Sequence, residues 1–175
     1  VETDHCTCIA IRGTEFSKSI FRGNFSLEGL SNGWDVITDI RWLPTDRGFG
    51  WVHRGMDQAA AQWVHTYADQ LNRKKQIYVT GHSLGGGVAP HLALRLRVYG
   101  FEVAEVVTFA EPATLFGSKS QGVISKFLPK RTSYINQRDW IRFMPPFGKT
   151  CSPRKTLLSG VGHSIDQYIV ALGGI

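Results

Sequence analysis

A serine between two glycines, in Gly81-His82-Ser83-Leu84-Gly85, is the pattern in this sequence that could perform the most specific chemistry. A β-branched apolar run at 76–80 precedes it, and a helix-compatible run at 86–99 follows it. A strand, a tight turn and a helix in this order predict a nucleophile elbow, whose serine is backbone-strained and exposes its hydroxyl. The two glycines let the strand and the helix approach closely. We therefore predict that Ser83 is a nucleophile.

A serine hydroxyl attacks only when a base accepts its proton and a third group orients that base. In hydrolases built on this elbow, the chain order is serine, acid, histidine. Two of the six histidines, His91 and His163, follow Ser83. His91 is expected two turns along the elbow helix, pointing away from the serine, whereas His163 lies in a glycine-flanked loop before the last predicted helix. The sequence therefore predicts His163 as the base.

The acids between the serine and the histidine are Glu102, Glu105, Glu111 and Asp139. Glu102 and Glu105 flank the start of a predicted strand, at the wrong edge of the sheet. Asp139 lies in a loop after a strand, at the carboxyl edge where active sites of α/β sheets form. Glu111 also follows a strand at that edge, so the spacing favours Asp139 but leaves Glu111 as a rival.

Acyl transfer also needs hydrogen-bond donors aimed at the developing oxyanion. The backbone N–H of Leu84 directly follows the nucleophile at a helix N-terminus, where the dipole favours negative charge. Thr14 follows the first predicted strand and offers both an N–H and a hydroxyl. We predict an oxyanion hole made by Thr14 and Leu84.

The elements that must position these residues are predicted as strands at 7–11, 76–80, 103–109 and 132–136, and helices at 55–72, 86–99, 118–127 and 164–172. The strand–helix–strand unit over 76–109 requires parallel pairing with a right-handed crossover. The pattern predicts an α/β domain with a mostly parallel central sheet flanked by helices.

The helix at 55–72 has an apolar face with helical spacing, which faces the core and leaves Asp57 elsewhere. Its members are Met56, Ala59, Ala60, Trp63, Val64, Tyr67 and Leu71.

The composition bounds the class of protein. With 175 residues, 42% hydrophobic and only 19% charged, the chain is expected to form a single domain over 1–175 rather than a disordered segment. No apolar run is long enough to span a membrane. The net charge of +6 favours anionic lipid or another acidic surface, and no aromatic-basic motif or zinc spacing indicates nucleic acid.

The termini and cysteines give weaker expectations. The first residues lack the charge and apolar run of a signal peptide, and no Met begins the chain, so we expect a processed, secreted or translocated protein whose targeting segment is absent. Cys6 and Cys8 would share one face of a strand, a poor geometry for pairing with each other, and Cys151 makes the number odd.

Several stretches together match one known family in order and spacing: Ile11-Arg12-Gly13-Thr14, Val52-His53-Arg54-Gly55, Val79-Thr80-Gly81-His82-Ser83-Leu84-Gly85-Gly86, Thr108-Phe109-Ala110-Glu111-Pro112, Ile135-Asn136-Gln137-Arg138-Asp139 with Pro145-Pro146, and His163 with Tyr168. These stretches resemble the class 3 lipases, the fungal triacylglycerol lipase family. They cover nearly the whole chain, and their combined order is far more specific than the elbow alone.

The resemblance implies an α/β-hydrolase fold, reduced at its N-terminus because the chain begins at the oxyanion strand. It implies Ser83, Asp139 and His163 as a catalytic triad, and gives Glu111 a structural position. The family usually continues Pro-Arg-Val-Gly where this chain has Pro112-Ala113-Thr114, a departure close to the acyl pocket. It also implies an apolar lid near 15–43.

The activity implied is a serine carboxylic-ester hydrolase acting on lipids, of triacylglycerol lipase or phospholipase type, through an acyl-enzyme on Ser83. No cofactor or metal is implied, and transient contact with a lipid surface is expected. The alternatives are a non-catalytic scaffold with the same fold and an acyltransferase using the same triad. The sequence leaves open which ester is cleaved, the regiospecificity and the oligomeric state.

Overall fold

The computed structural model describes residues 1–13, 26–27, 30–31, 44–48, 50–128, 130–143, 155–160 and 162–174. The strands in these ranges are β1 (Cys6–Ile11), β2 (Ser26–Leu27), β3 (Leu30–Ser31), β4 (Pro44–Asp46), β5 (Trp51–His53), β6 (Gln76–His82), β7 (Val103–Phe109), β8 (Leu115–Phe116), β9 (Arg131–Asn136) and β10 (Lys155–Leu158). The helices are α1 (Arg54–Tyr67), α2 (Leu84–Val98), α3 (Gly117–Phe127) and α4 (Ile165–Ala171), with 3₁₀ turns at Ala68–Gln70 and Trp140–Phe143.

A five-stranded sheet in the order β1-β6-β7-β9-β10 forms the centre of the fold. Each neighbouring pair of its strands runs parallel, so their carboxyl ends meet at one edge. This confirms the predicted α/β class and the parallel strand–helix–strand unit. Strand β10 and the small antiparallel sheet of β4, β5 and β8 were not predicted, because these strands have two to four residues and too little periodicity.

The main core lies between this sheet and the first two helices. Helix α1 packs against α2, and α2 packs against β6 and β7. The α2 helix is buried on nearly every side and carries little polar surface, as expected for a helix enclosed by a sheet and a second helix. This packing fixes the start of α2, which follows the predicted nucleophile directly. None of the helices in the described part of the chain has the length and apolar character that a bilayer crossing requires.

Helix α1 departs from its predicted faces in an informative way. Met56, Ala60 and Val64 are buried as expected, whereas Ala59 and Tyr67 are exposed. Asp57, expected away from the core, is only 3% exposed, so that prediction was wrong.

The Asp57 carboxylate is buried because cations reach it from two other parts of the chain. It accepts hydrogen bonds from Arg47 Nε at 2.7 Å and from Arg95 Nη2 at 2.8 Å, and His91 Nδ1 lies 3.8 Å away. Burial opposes the charged form, but His91 and Arg95 outweigh it and hold the pKa of Asp57 well below its usual range. The carboxylate therefore joins α1 to α2 as an ion.

Two buried histidines lie next to this ion pair. His53 is the N-cap of α1, and its Nδ1 accepts the Met56 N–H at 3.3 Å. Burial and the neighbouring His91 lower the pKa of His53 to about 4, and burial also lowers the pKa of His91. Both imidazoles are therefore neutral in the folded protein near pH 7.

The free energy of unfolding is expected to fall as the pH drops below about 6.5. His53 has a pKa of about 4 in the folded protein, so it stays neutral there until the pH approaches 4. In the unfolded chain it takes up a proton at its ordinary, higher pKa. Acid therefore favours the unfolded chain. This one histidine accounts for about 2 kcal/mol of the loss near pH 5. Urea unfolding near pH 7.5 and near pH 5 measures the change.

The His53→Asn variant is the matched control, because asparagine also caps helices but does not titrate. Its unfolding free energy should depend less on pH than that of the wild type, by about the same 2 kcal/mol. An identical pH dependence in both proteins would contradict the prediction.

Candidate active site

Ser83 lies between β6 and α2 with φ of +57° and ψ of −124°, a region that non-glycine residues rarely occupy. The two flanking glycines are required by close backbone contacts. A Cβ at Gly81 would overlap the backbone of Gly85, and a Cβ at Gly85 would overlap the carbonyl of Ile11. The strained serine turn that the sequence predicted is thus held between the end of β1 and the start of α2.

The predicted exposure of the hydroxyl was wrong, because Ser83 is only 1% exposed. The chain after β1 passes against it, since a Cβ placed at Gly13 would lie 3.1 Å from the Ser83 Cβ. The Ser83 N–H donates to the Phe109 carbonyl at 3.0 Å, and the Oγ lies 2.8 Å from His163 Nε2. The side chain therefore faces an imidazole instead of bulk solvent.

The structure brings Ser83, His163 and Asp139 together in one chain of hydrogen bonds. His163 Nδ1 lies 2.9 and 3.0 Å from the two carboxylate oxygens of Asp139, on the opposite side of the ring from the serine. An ionised carboxylate only accepts hydrogen bonds, which makes Nδ1 the donor and leaves Nε2 to accept from the serine. This arrangement can remove the proton of a hydroxyl as it attacks.

Asp139 is 0% exposed and is kept charged by three donors. Burial works against the charged form, but hydrogen bonds from His163, from the Ile141 N–H at 3.0 Å and from the Tyr168 hydroxyl at 2.7 Å outweigh it. The pKa of Asp139 is lowered as a result. A buried anion at this place orients the imidazole and stabilises the positive charge that forms when the ring accepts a proton.

Tyr168 connects this carboxylate to the sheet. Its hydroxyl donates to Asp139 Oδ2 and accepts the N–H of Asn136, the last residue of β9, at 3.0 Å. Burial, together with the charge of Asp139, raises the pKa of Tyr168, so the hydroxyl keeps its proton. The sequence marked Tyr168 only as part of a family resemblance. Its one available signal was its place one turn into α4, shortly after the histidine.

Two aromatic residues that sequence reasoning did not select also adjoin the imidazole. His82 Nε2 lies 2.7 Å from the backbone carbonyl of His163, and the two imidazole centroids are 5.0 Å apart. Burial lowers the pKa of His82, so the ring is neutral and its N–H supports the loop that carries His163. The Trp140 ring lies 5.7 Å from the His163 ring. The sequence did contain one indication of both residues, because His82 directly precedes Ser83 and Trp140 directly follows Asp139.

The rival acid, Glu111, has other partners. Its carboxylate is paired with Arg131 and accepts the Thr108 hydroxyl at 2.5 Å. The acid that contacts the imidazole is Asp139.

Of the two predicted oxyanion donors, the structure describes Leu84 but not Thr14. Leu84 is the first residue of α2, and the first N–H groups of a helix have no acceptor within it. Thr14 lies outside the described residues, as do Cys151, Pro145, Pro146 and nearly all of the predicted lid at 15–43. Within the described ranges, Cys6 and Cys8 are free thiols and no group of three or more His, Cys, Asp or Glu side chains converges on a metal-sized site.

A parallel sheet with helices, a serine in a strained strand-to-helix turn, and an acid and a histidine from later loops define the α/β-hydrolase class. A family model described as Lipase (class 3) matches residues 8–149. The chain belongs to the class 3 lipase family.

Solved structures agree with this assignment. The triacylglyceride lipase of Rhizomucor miehei is 25% identical, with a TM-score of 0.53 over 68% of this chain and 52% of that one. A fungal lipase–inhibitor complex, whose structure gave a model for interfacial activation in lipases, is 26% identical. Its TM-score is 0.54 over 72% of this chain and 51% of that one. Lip2 lipase of Yarrowia lipolytica shares the fold, with 24% identity and a TM-score of 0.56 over 69% and 53%.

The chain thus spans about half the length of these solved lipases. No curated protein sequence matches it.

The Tyr168→Phe variant is expected to lower the free energy of unfolding by about 1–3 kcal/mol. The Asn136 N–H and the Asp139 carboxylate would each lose a buried hydrogen bond, and the pKa of Asp139 would rise. Urea unfolding followed by near-UV circular dichroism measures the change. The matched control is Tyr99→Phe at a half-exposed position, which should change stability by less than about 0.5 kcal/mol. A Tyr168→Phe protein as stable as this control would contradict the assigned hydrogen bonds.

Proposed function

We propose that this protein is a serine carboxylic-ester hydrolase that acts on lipids, of triacylglycerol lipase or phospholipase type. The observation that carries the proposal is the position of His163, whose two ring nitrogens lie 2.8 Å from Ser83 Oγ and 2.9 Å from Asp139 Oδ2. Membership of the class 3 lipase family supports the same reaction class.

In the first half of the reaction, the Ser83 hydroxyl attacks the ester carbonyl while His163 Nε2 accepts its proton. The bond between the carbonyl carbon and the alcohol oxygen then breaks, and the imidazolium donates that proton to the leaving alcohol. In the second half, the imidazole activates a water molecule, which releases the acid from the acyl-enzyme. No external oxidant, reductant or metal is needed to balance either half.

Asp139 keeps the imidazole in the tautomer that the reaction needs and stabilises the imidazolium. Its role follows from its charge and from its two contacts with Nδ1. Tyr168 and the Ile141 N–H serve as positioning groups for this carboxylate.

The oxyanion that forms during attack is proposed to be bound by Thr14 and by the Leu84 N–H. The Leu84 N–H belongs to the first turn of α2, next to the nucleophile. Thr14 is bonded to Gly13, which lies against the Ser83 Cβ and the His82 carbonyl. A donor on the residue after Gly13 is proposed to bind the carbonyl oxygen of the ester that Ser83 attacks.

The substrate is proposed to be presented at a lipid surface. The net charge of +6 favours an anionic surface, which slightly favours phospholipid among the lipid esters. The similarity to a fungal lipase studied for interfacial activation supports contact with an interface.

Replacing Ser83 by alanine is expected to abolish ester hydrolysis and labelling by a fluorophosphonate probe. Replacing Asp139 by asparagine keeps the shape of the side chain but favours the wrong histidine tautomer, and should lower kcat by about 10⁴-fold. Mass spectrometry of the labelled protein and hydrolysis of a short-chain aryl ester measure both effects.

The control is Ser120→Ala, at a buried serine whose hydroxyl donates to the Trp51 carbonyl, and this variant should keep both labelling and activity. Function that survives Ser83→Ala would favour a non-catalytic scaffold instead.

Replacing Thr14 by valine removes the hydroxyl while keeping the backbone N–H and the side-chain shape. If the hydroxyl binds the oxyanion, kcat should fall by about 10²–10³-fold with little change in KM, because the bond strengthens only in the transition state. Thr14→Ser should retain most of the rate. Steady-state kinetics on one soluble ester separates kcat from KM, and equal kcat values for the valine variant and the wild type would exclude a role for the hydroxyl.

A further inference from the structure

Trp140 is a large aromatic side chain at the rim of the candidate active site. It directly follows Asp139 and begins the 3₁₀ turn Trp140–Phe143. Its side chain is 45% exposed, and its ring centroid lies 5.7 Å from that of His163, with the ring planes tilted by 42°. The other ring near this imidazole in the described chain is His82, which is more buried. Trp140 is thus the aromatic neighbour that offers surface to an incoming molecule.

The loop that carries Asp139 is anchored by groups other than this indole. The next residue, Ile141, is buried and donates its N–H to Asp139, so the loop is held to the carboxylate by its backbone. Tyr168 and His163 provide the other bonds to that carboxylate. A ring that is nearly half exposed contributes little to the core that these residues form.

The chemistry of acylation places the leaving alcohol beside His163. The nitrogen that accepts the serine proton, Nε2, returns it to the alcohol oxygen, so this oxygen must come within hydrogen-bond distance of Nε2. The first carbon atoms of the alcohol then lie against the imidazole, whose ring centroid is 5.7 Å from that of the Trp140 indole. The acyl chain extends from the other side of the carbonyl carbon and stays on Ser83 when the alcohol departs.

We propose that Trp140 forms a wall of the leaving-group site and selects the alcohol half of the ester. The indole would favour alcohols with an apolar or aromatic carbon skeleton next to the ester oxygen over compact hydrophilic ones. This inference rests on the proposed ester hydrolysis and concerns its specificity.

Two series of esters test the proposal on the full chain. One series keeps a butanoyl group and varies the alcohol from methyl to butyl to benzyl, and the other keeps the alcohol and varies the acyl group. In Trp140→Ala, the preference in kcat/KM for benzyl over methyl butanoate should fall about tenfold, while the ratios within the acyl series stay unchanged. Trp140→Phe should retain most of the benzyl preference. The control, Trp51→Ala, removes an indole of similar exposure (52%) and should change neither ratio.

A separate measurement distinguishes selection of the alcohol from mere support of His163. All butanoate esters give the same acyl-enzyme, so its hydrolysis does not depend on the alcohol. Burst kinetics compares the two steps in the wild type and in Trp140→Ala. The acylation rate of the variant should fall by an amount that depends on the alcohol, whereas its deacylation rate should agree with that of the wild type within about twofold. Equal losses in both steps for every ester would assign Trp140 a structural role and overturn the proposal.

The outcomes also separate this inference from the proposed function. If fluorophosphonate labels Ser83 and esters are hydrolysed, but the alcohol ratios of Trp140→Ala match those of the wild type, the leaving-group assignment alone is wrong. If the wild-type chain is neither labelled nor active, both proposals fall. Thermal unfolding of Trp140→Ala and Trp140→Phe checks that the variants are folded.

Discussion

An ionised carboxylate with no exposed surface must be surrounded by donors, and Asp139 imposes this requirement on the last third of the chain. Its donors come from three places: the 3₁₀ turn that follows it, the loop before α4, and α4 itself. The Tyr168 hydroxyl also binds the N–H of Asn136, at the end of β9, which ties the same cluster to the sheet. The position of His163 follows from this arrangement, and with it the contact with Ser83.

Two other carboxylates are buried in the described part of the chain, and the difference in their partners corresponds to a difference in role. Asp57 is paired with Arg47 and Arg95, and Glu111 is paired with Arg131. A guanidinium does not lose its proton in proteins, so these pairs are fixed and join elements of the fold. Asp139 is paired instead with an imidazole, which can accept a proton and return it. The same physical need for a partner thus gives two structural ion pairs and one site that can perform acid–base chemistry.

The sequence was sufficient for those features that depend on local pattern and chain order. The elbow around Ser83 is a local pattern, and the loops that carry Asp139 and His163 follow in the order that the elbow requires. Strand β7 was predicted with its observed bounds, because five of its seven residues are apolar and only Glu105 and Thr108 interrupt them.

The errors concern contacts between distant parts of the chain. Periodicity placed Asp57 outside because nothing local shows that Arg95, 38 residues later, approaches it. The burial of Ser83 depends on the chain near Gly13 and on His163, 80 residues away. The hydrogen bond from Tyr168 to Asp139 joins residues 29 positions apart, and no periodic pattern in the sequence indicates it.

The backbone contact between Ile11 and Gly85 has a consequence for how the electrostatic environment of the reaction is prepared. Strand β1 pairs with β6 along its whole length, and its end lies directly against the start of α2, with Gly13 next to Ser83. One proposed oxyanion donor follows β1 and the other lies in the first turn of α2. The end of β1 and the start of α2 are therefore packed rigidly against each other. Their dipoles are oriented when the chain folds, so in the proposed reaction little solvent-like reorganisation would accompany the appearance of negative charge on the substrate.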